Sequence, residues 1–145
     1  MSGFDFEKLD VYAASLDFVV VARALRQRLP PGNGDLADQL TRAASSIVLN
    51  IAEGTGAFRG DDKAHKYRSA RGSAFACAAV LDIMTKLDLA DATEVRNGRE
   101  LLERIGAMLT QLAESVQTRN PGARTGSSTR KRLPGSGSRS GSGSE

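Results

Sequence analysis

Seven residues, Val95, Gly98, Leu102, Ile105, Leu109, Leu112 and Val116, step by three and four positions without a break. That spacing holds them on one face of a helix, and Leu101 and Met108 widen the stripe. A helix that is apolar along one side gains most of its stability by burying that side against other elements. The rest of the chain must therefore supply matching faces.

It supplies them in series. Leu40, Ala43, Ala44, Ile47 and Ile51 form one stripe, and Tyr67, Ala70, Ala74, Cys77, Leu81 and Met84 form another by alternating steps of three and four. A first helix is expected from about Glu7 to Leu29, capped by Asp5, with Leu9, Tyr12, Leu16 and Val19 on its buried face. Pro30, Pro31, Gly32, Asn33 and Gly34 stop it. Asp35 is the expected cap of the second helix, which runs to Glu53 and is ended by Gly54 and Gly56 in the left-handed region. Asp61 and Asp62 suit the positive end of a third helix that reaches Lys86 or Leu87. Asp91 and Glu94 then have the spacing of a capping box for the fourth. No strand alternation or repeat competes, so the fold class is all-α: an antiparallel up-down-up-down four-helix bundle over residues 1–118.

Residues 119–145 differ in kind. This Gly/Ser/Arg segment has almost nothing to bury and reads as a disordered tail. Charge divides at the same place: 14 Lys/Arg against 16 Asp/Glu up to Thr118, and 6 against 1 beyond it. The net charge of +3 therefore belongs to the tail, whose densest cluster is Arg130, Lys131 and Arg132. Such a cluster suits salt-sensitive phosphate contacts and equally suits a solubilising tail. With 40% hydrophobic residues, 5% aromatic and no Trp, the bundle has an aliphatic core. A single cysteine, no signal peptide and no membrane-spanning apolar run lead to the expectation of a cytoplasmic protein without a membrane partner.

Enzyme chemistry finds little support in the residues. A di-metal bundle site needs Glu-x-x-His pairs, whereas the lone histidine, His65, has no glutamate three residues before it, and neither metal nor cofactor is expected. Cys77 falls on a core stripe, where a thiol acts as a small apolar group. Ser45, Ser46 and Ser73 lack the signature of an activating base. The glycines from Gly54 to Gly60 follow a helix and lack the Lys-Ser/Thr ending of a phosphate-binding loop.

Binding surfaces remain. Arg42, Ser46, Asn50 and Glu53 form a polar row on the second helix, with Asn50 and Glu53 the structural polar groups. Glu53 lies at the negative end of that helix dipole, so it either meets a cation or stays as a solvated carboxylate. Arg59, Lys63, Lys66, Arg68 and Arg71 crowd the second loop and the start of the third helix. They either contact the phosphates of RNA or DNA, or pair with Glu53, Asp61 and Asp62 within the fold or across a subunit boundary. Gly72, Ala76 and Ala79 make a small-residue seam apart from the core stripe, set either against a neighbouring helix or against a second copy.

The stretches FEKLDVYAAS, SSIVLNIAEGTG and YRSARGSAF resemble a bacterial four-helix-bundle family. That family includes proteins encoded in intervening sequences of 23S rRNA genes and the accessory variability proteins of diversity-generating retroelements. The resemblance spans roughly Phe6 to Val116, with NIAEG followed by ARGS its most specific part. Val48 and Leu49 stand where the family usually has a proline before the Asn, and Ala76 where an acidic residue often follows the GS pair. The resemblance implies a ring-shaped homo-oligomer, a pentamer in the retroelement group, whose basic surface engages nucleic acid and a reverse transcriptase.

If the tail contributes nothing to the core, removal of residues 119–145 leaves helicity and cooperative unfolding unchanged. Limited proteolysis followed by thermal unfolding of the trimmed chain checks this.

Overall fold

The computed structural model describes residues 6 and 9–118, so the expected Asp5 cap and the whole tail lie outside the described residues. Four helices follow one another: α1 Asp10–Gln27, α2 Gly34–Gly56, α3 Gly60–Lys86 and α4 Ala92–Thr118. Packing joins α1 to α2, α2 to α3, α3 to α4 and α4 back to α1, with none across either diagonal among the described residues. That cycle, with short connections, is the antiparallel up-down-up-down bundle. Each adjacent pair also shares a polar tie at the surface. Arg26 reaches Asp38 at 3.0 Å and Lys66 reaches Glu53 at 2.8 Å. Arg99 approaches Asp82 at 3.4 Å, and Arg28, just past α1, meets Glu94. Exposed pairs of this kind contribute roughly 0–1 kcal/mol each, so the apolar core holds the bundle.

That core follows the expected stripes on three helices. Leu40, Ile47 and Ile51 of α2, Leu81 and Met84 of α3, and Ile105 and Leu109 of α4 are wholly buried. On α1 the expectation fails. Its inward face is Val11, Ala14, Ser15, Phe18, Ala22 and Leu25, while Leu9, Tyr12 and Val19 lie at the flank and Leu16 is 43% exposed. Both faces of α1 carry apolar residues; the inward one wins because it buries the large Phe18 and Leu25 side chains completely. Ser15 is tolerated there because its hydroxyl donates to the Tyr12 carbonyl at 2.7 Å. The helix also begins at Asp10 rather than Glu7, with Leu9 as an extended N-cap residue.

The helix ends hold further corrections. Gly54 and Gly56 are helical, and α2 stops because Ala57 turns extended, at φ −73° and ψ 150°. Asn33, not Asp35, precedes the first turn of α2, and its side chain donates back to the Pro30 carbonyl at 2.9 Å. At the end of α3, Asp88 takes the left-handed conformation at φ 57°. The Leu89 and Asp88 N–H groups then donate to the Met84 and Thr85 carbonyls at 2.9 and 3.1 Å, a Schellman closure. Asp91 caps α4 by accepting the Glu94 N–H at 3.0 Å, but the Glu94 carboxylate turns to Arg28, so only half of the expected capping box forms.

Leu109 has no exposed surface, so Leu109→Ala is expected to cost about 2–5 kcal/mol through lost burial and a residual cavity. Chemical denaturation at fixed protein concentration measures it, and a loss under about 1 kcal/mol would mean that the face is not core.

Candidate functional site

The junction of α2 and α3 gathers most of the chemistry that the sequence points to. Its geometry starts from Gly54, where a Cβ would lie 2.8–2.9 Å from the Tyr67 ring and 3.0 Å from the Lys66 Cβ. Only a bare Cα lets α3 approach α2 this closely. Tyr67 can then bring its hydroxyl within 3.0 Å of the Thr55 Oγ1, while Lys63 donates to the Thr55 carbonyl at 2.7 Å. That carbonyl belongs to the last turn of α2, so the Lys63 ammonium complements the negative end of the helix. Glu53, in the same turn, meets Lys66 at 2.8 Å, which settles its partner as a cation in an exposed ion pair.

Arg59 holds Asp61 through two hydrogen bonds of 3.0 and 2.8 Å. Those bonds keep the Asp61 carboxyl below the usual carboxylate range and push the Arg59 guanidinium up. The stabilisation is present above the ordinary carboxylate pKa and is lost as pH falls through the lowered one. Arg68 and Arg71 lie further along α3, towards α4. The first donates to Gln117, and the second stacks over the Phe75 ring at 4.6 Å from its centroid. All five cations expected at this end thus have partners within the chain. Around the junction itself Arg59, Lys63 and Lys66 are interleaved with Glu53, Asp61 and Asp62. Arg130, Lys131 and Arg132 lie outside the described residues.

Between α2 and α3 runs a polar line. Asn50 donates to the Ser46 carbonyl at 2.9 Å and to its hydroxyl at 3.0 Å, and Ser73 donates to the Ser46 hydroxyl at 2.8 Å. A satisfied network of this kind fixes the register of two helices whose packed residues are otherwise small. Cys77 is wholly buried, and burial pushes its thiol up to about 12, so it is not a thiolate nucleophile at neutral pH. His65 points into solvent.

Sequence reasoning missed the exposed large apolar side chains. Phe58 stands fully exposed at the tip of the α2–α3 turn. Phe75 and Ile83 on α3 and Leu87 just past its end lie outside the core, and Leu16 and Val20 do so on α1. Gly72, Ala76 and Ala79 share this exposed side of α3, and a Cβ at Gly72 would meet nothing within 4 Å. Gly72 therefore faces no neighbouring helix among the described residues, whereas Ala79 borders a groove shared with Arg99 and Glu103 of α4. The readable signal was the heptad spacing of Val11, Phe18 and Leu25, which marks one of two competing faces on α1 and so leaves the other, with Leu16 and Val20, outside.

The geometry defines an all-α bundle with a polar α2–α3 lock and apolar residues left on its outer sides. Residues 7–111, more than half of the chain, match the model of the 23S rRNA-intervening sequence protein family, and the chain belongs to that family. A crystal structure of a protein with unknown function from the S23 ribosomal protein family, from Bacteroides thetaiotaomicron, superposes with a TM-score of 0.66. The two chains are 21% identical over 71% of this chain and 97% of that one, a likeness of fold. No curated protein matches the chain. Among the described residues no helix is long and apolar enough to cross a membrane.

Two glycine substitutions should have opposite signs. Gly54→Ala is expected to destabilise by about 1–3 kcal/mol, because the new methyl meets the Tyr67 ring. Gly72→Ala meets open space in a helix interior and is expected to stabilise the single chain by about 0.5–1 kcal/mol. Urea denaturation of both variants beside the wild type reads the difference.

Proposed function

We propose that this protein is a non-enzymatic scaffold that works as a homo-oligomer. The observation that carries this reading is the outer side of α3, where Phe75, Ala76, Ala79 and Ile83 are exposed, with Leu87 just beyond the helix and Phe75 only partly covered by α4. Leaving such side chains in water forgoes burial worth roughly 1.5–3 kcal/mol for each large one. A surface of this kind marks an interaction site. Among the described residues Cys77 is buried and His65 stands in solvent, neither of them beside an activating partner.

A second reading adds nucleic acid as a partner, and the Arg59, Lys63 and Lys66 junction favours it. Surface ion pairs are weak enough for phosphate to replace the carboxylates, so internal pairing leaves these cations available. Arg68, Arg71 and the tail cluster Arg130, Lys131 and Arg132 would extend the same surface. A reverse transcriptase partner, as in the retroelement group, would be a further extension of this second reading.

Light scattering across a concentration series tests the first reading: an oligomer is expected, and a monomer throughout would overturn it. Retention on RNA or DNA tests the second, with binding expected to fall steeply between about 50 and 200 mM salt. The quadruple Ala variant of Lys63, Lys66, Arg68 and Arg71 should bind many sequences more weakly alike. Full retention by that variant, lost on removing the tail, would move the activity to Arg130, Lys131 and Arg132.

A further inference from the structure

We infer that the outer side of α3 is covered by α1 of a second copy of this chain, laid parallel to it in a head-to-tail contact. This rests on the oligomeric reading above and specifies its interface. Two exposed faces carry the argument. On α3, Phe75 is 57% exposed and Ile83 43%. On α1, Val20 is 68% exposed and Leu16 43%. The intervals match: Ala13, Leu16, Val20 and Ala24 on α1 are spaced by three, four and four residues, as are Gly72, Phe75, Ala79 and Ile83 on α3. In parallel alignment each member of the first row stands opposite one of the second. Val20 then faces Ala79, beside a groove of about 360 Å³ lined by residues including Phe75, Ala79, Asp82 and Arg99.

Charge selects the polarity of this contact. Asp10 and Asp17 are exposed in the N-terminal half of α1, and no ion pair within the chain holds them among the described residues. Arg68 and Arg71 are exposed in the N-terminal half of α3. Parallel packing sets these carboxylates beside these guanidinium groups, whereas antiparallel packing would bring Arg23 and Arg26 towards them instead. Parallel pairing of α3 with α3, or of α1 with α1, would gather like charges at one end.

The bundle's own topology permits the contact to repeat. In an up-down-up-down arrangement α1 and α3 run in the same direction, and here they occupy opposite corners with no packing between them. A copy rotated about an axis along the bundle therefore offers α1 parallel to its neighbour's α3. Every copy keeps one face of each kind, so the contact closes into a ring when the rotation divides a full turn.

Cysteine cross-linking tests this, because wild-type Cys77 is wholly buried and serves as the silent background. Val20→Cys and Ala79→Cys chains, co-expressed with different tags, are expected to form a mixed disulfide on oxidation, and neither variant alone should dimerise covalently. Ala13→Cys should link to Gly72→Cys and not to Ile83→Cys; the reverse pattern would overturn the parallel polarity. Val20→Glu should raise the concentration for half-dissociation about tenfold or more. It should leave helicity intact, since Val20 is already in solvent in the single chain. An oligomer that cross-links at none of these pairs would overturn this interface while sparing the oligomeric reading. A monomer by light scattering would overturn both.

Discussion

The close approach of α3 to both of its neighbours is the constraint on which the rest depends. Its core seam combines Ala64, Ala70, Ala74 and Cys77 with Tyr67, Leu81 and Met84, and every one of these is buried. Small side chains bring α2 and α4 near, and Gly54 extends the same closeness to the end of α2, where the Tyr67 ring occupies the place of a side chain. From that contact follow the Tyr67–Thr55 hydrogen bond, the reach of Lys63 to the last carbonyls of α2 and the Lys66–Glu53 pair. A seam built from alanines alone would specify its register weakly. The Ser46, Asn50 and Ser73 network supplies the direction that the small apolar groups lack.

The same closeness explains what lies outside. α3 spends its one dominant stripe on the core and leaves Phe75, Ala76, Ala79 and Ile83 exposed among Arg68, Arg71, Asp82 and Lys86. α1 repeats the pattern with Val11, Phe18 and Leu25 inside and Leu16 and Val20 outside. The charged residues do not compensate by forming one strong field, because cations and carboxylates alternate around the α2–α3 junction. The field at that junction is therefore mixed in sign rather than uniformly positive.

How much could be read in advance differs between helices. α2, α3 and α4 each have one dominant apolar stripe, so Ile47, Leu81 and Leu109 could be assigned to the core from spacing alone. α1 has two, and periodicity cannot rank two apolar faces; volume complementarity with the other three helices does. Glycine was misread for a related reason. Gly54 looks like a terminator because positive φ is glycine's commonest use, but here the residue serves a close contact whose partner, Tyr67, lies in the next helix.

The sequence by itself determined four helices, their order and the residues of three buried stripes, because these depend on local periodicity and on Pro and Gly punctuation. Tertiary structure alone decided which side of α1 turns inward, that every cation at the α2–α3 end has a partner, and that the seam through Gly72, Ala76 and Ala79 lies outside. Those outcomes depend on what stands opposite a residue in space. Helical spacing fixes which residues share a face, but only the other helices fix where that face points.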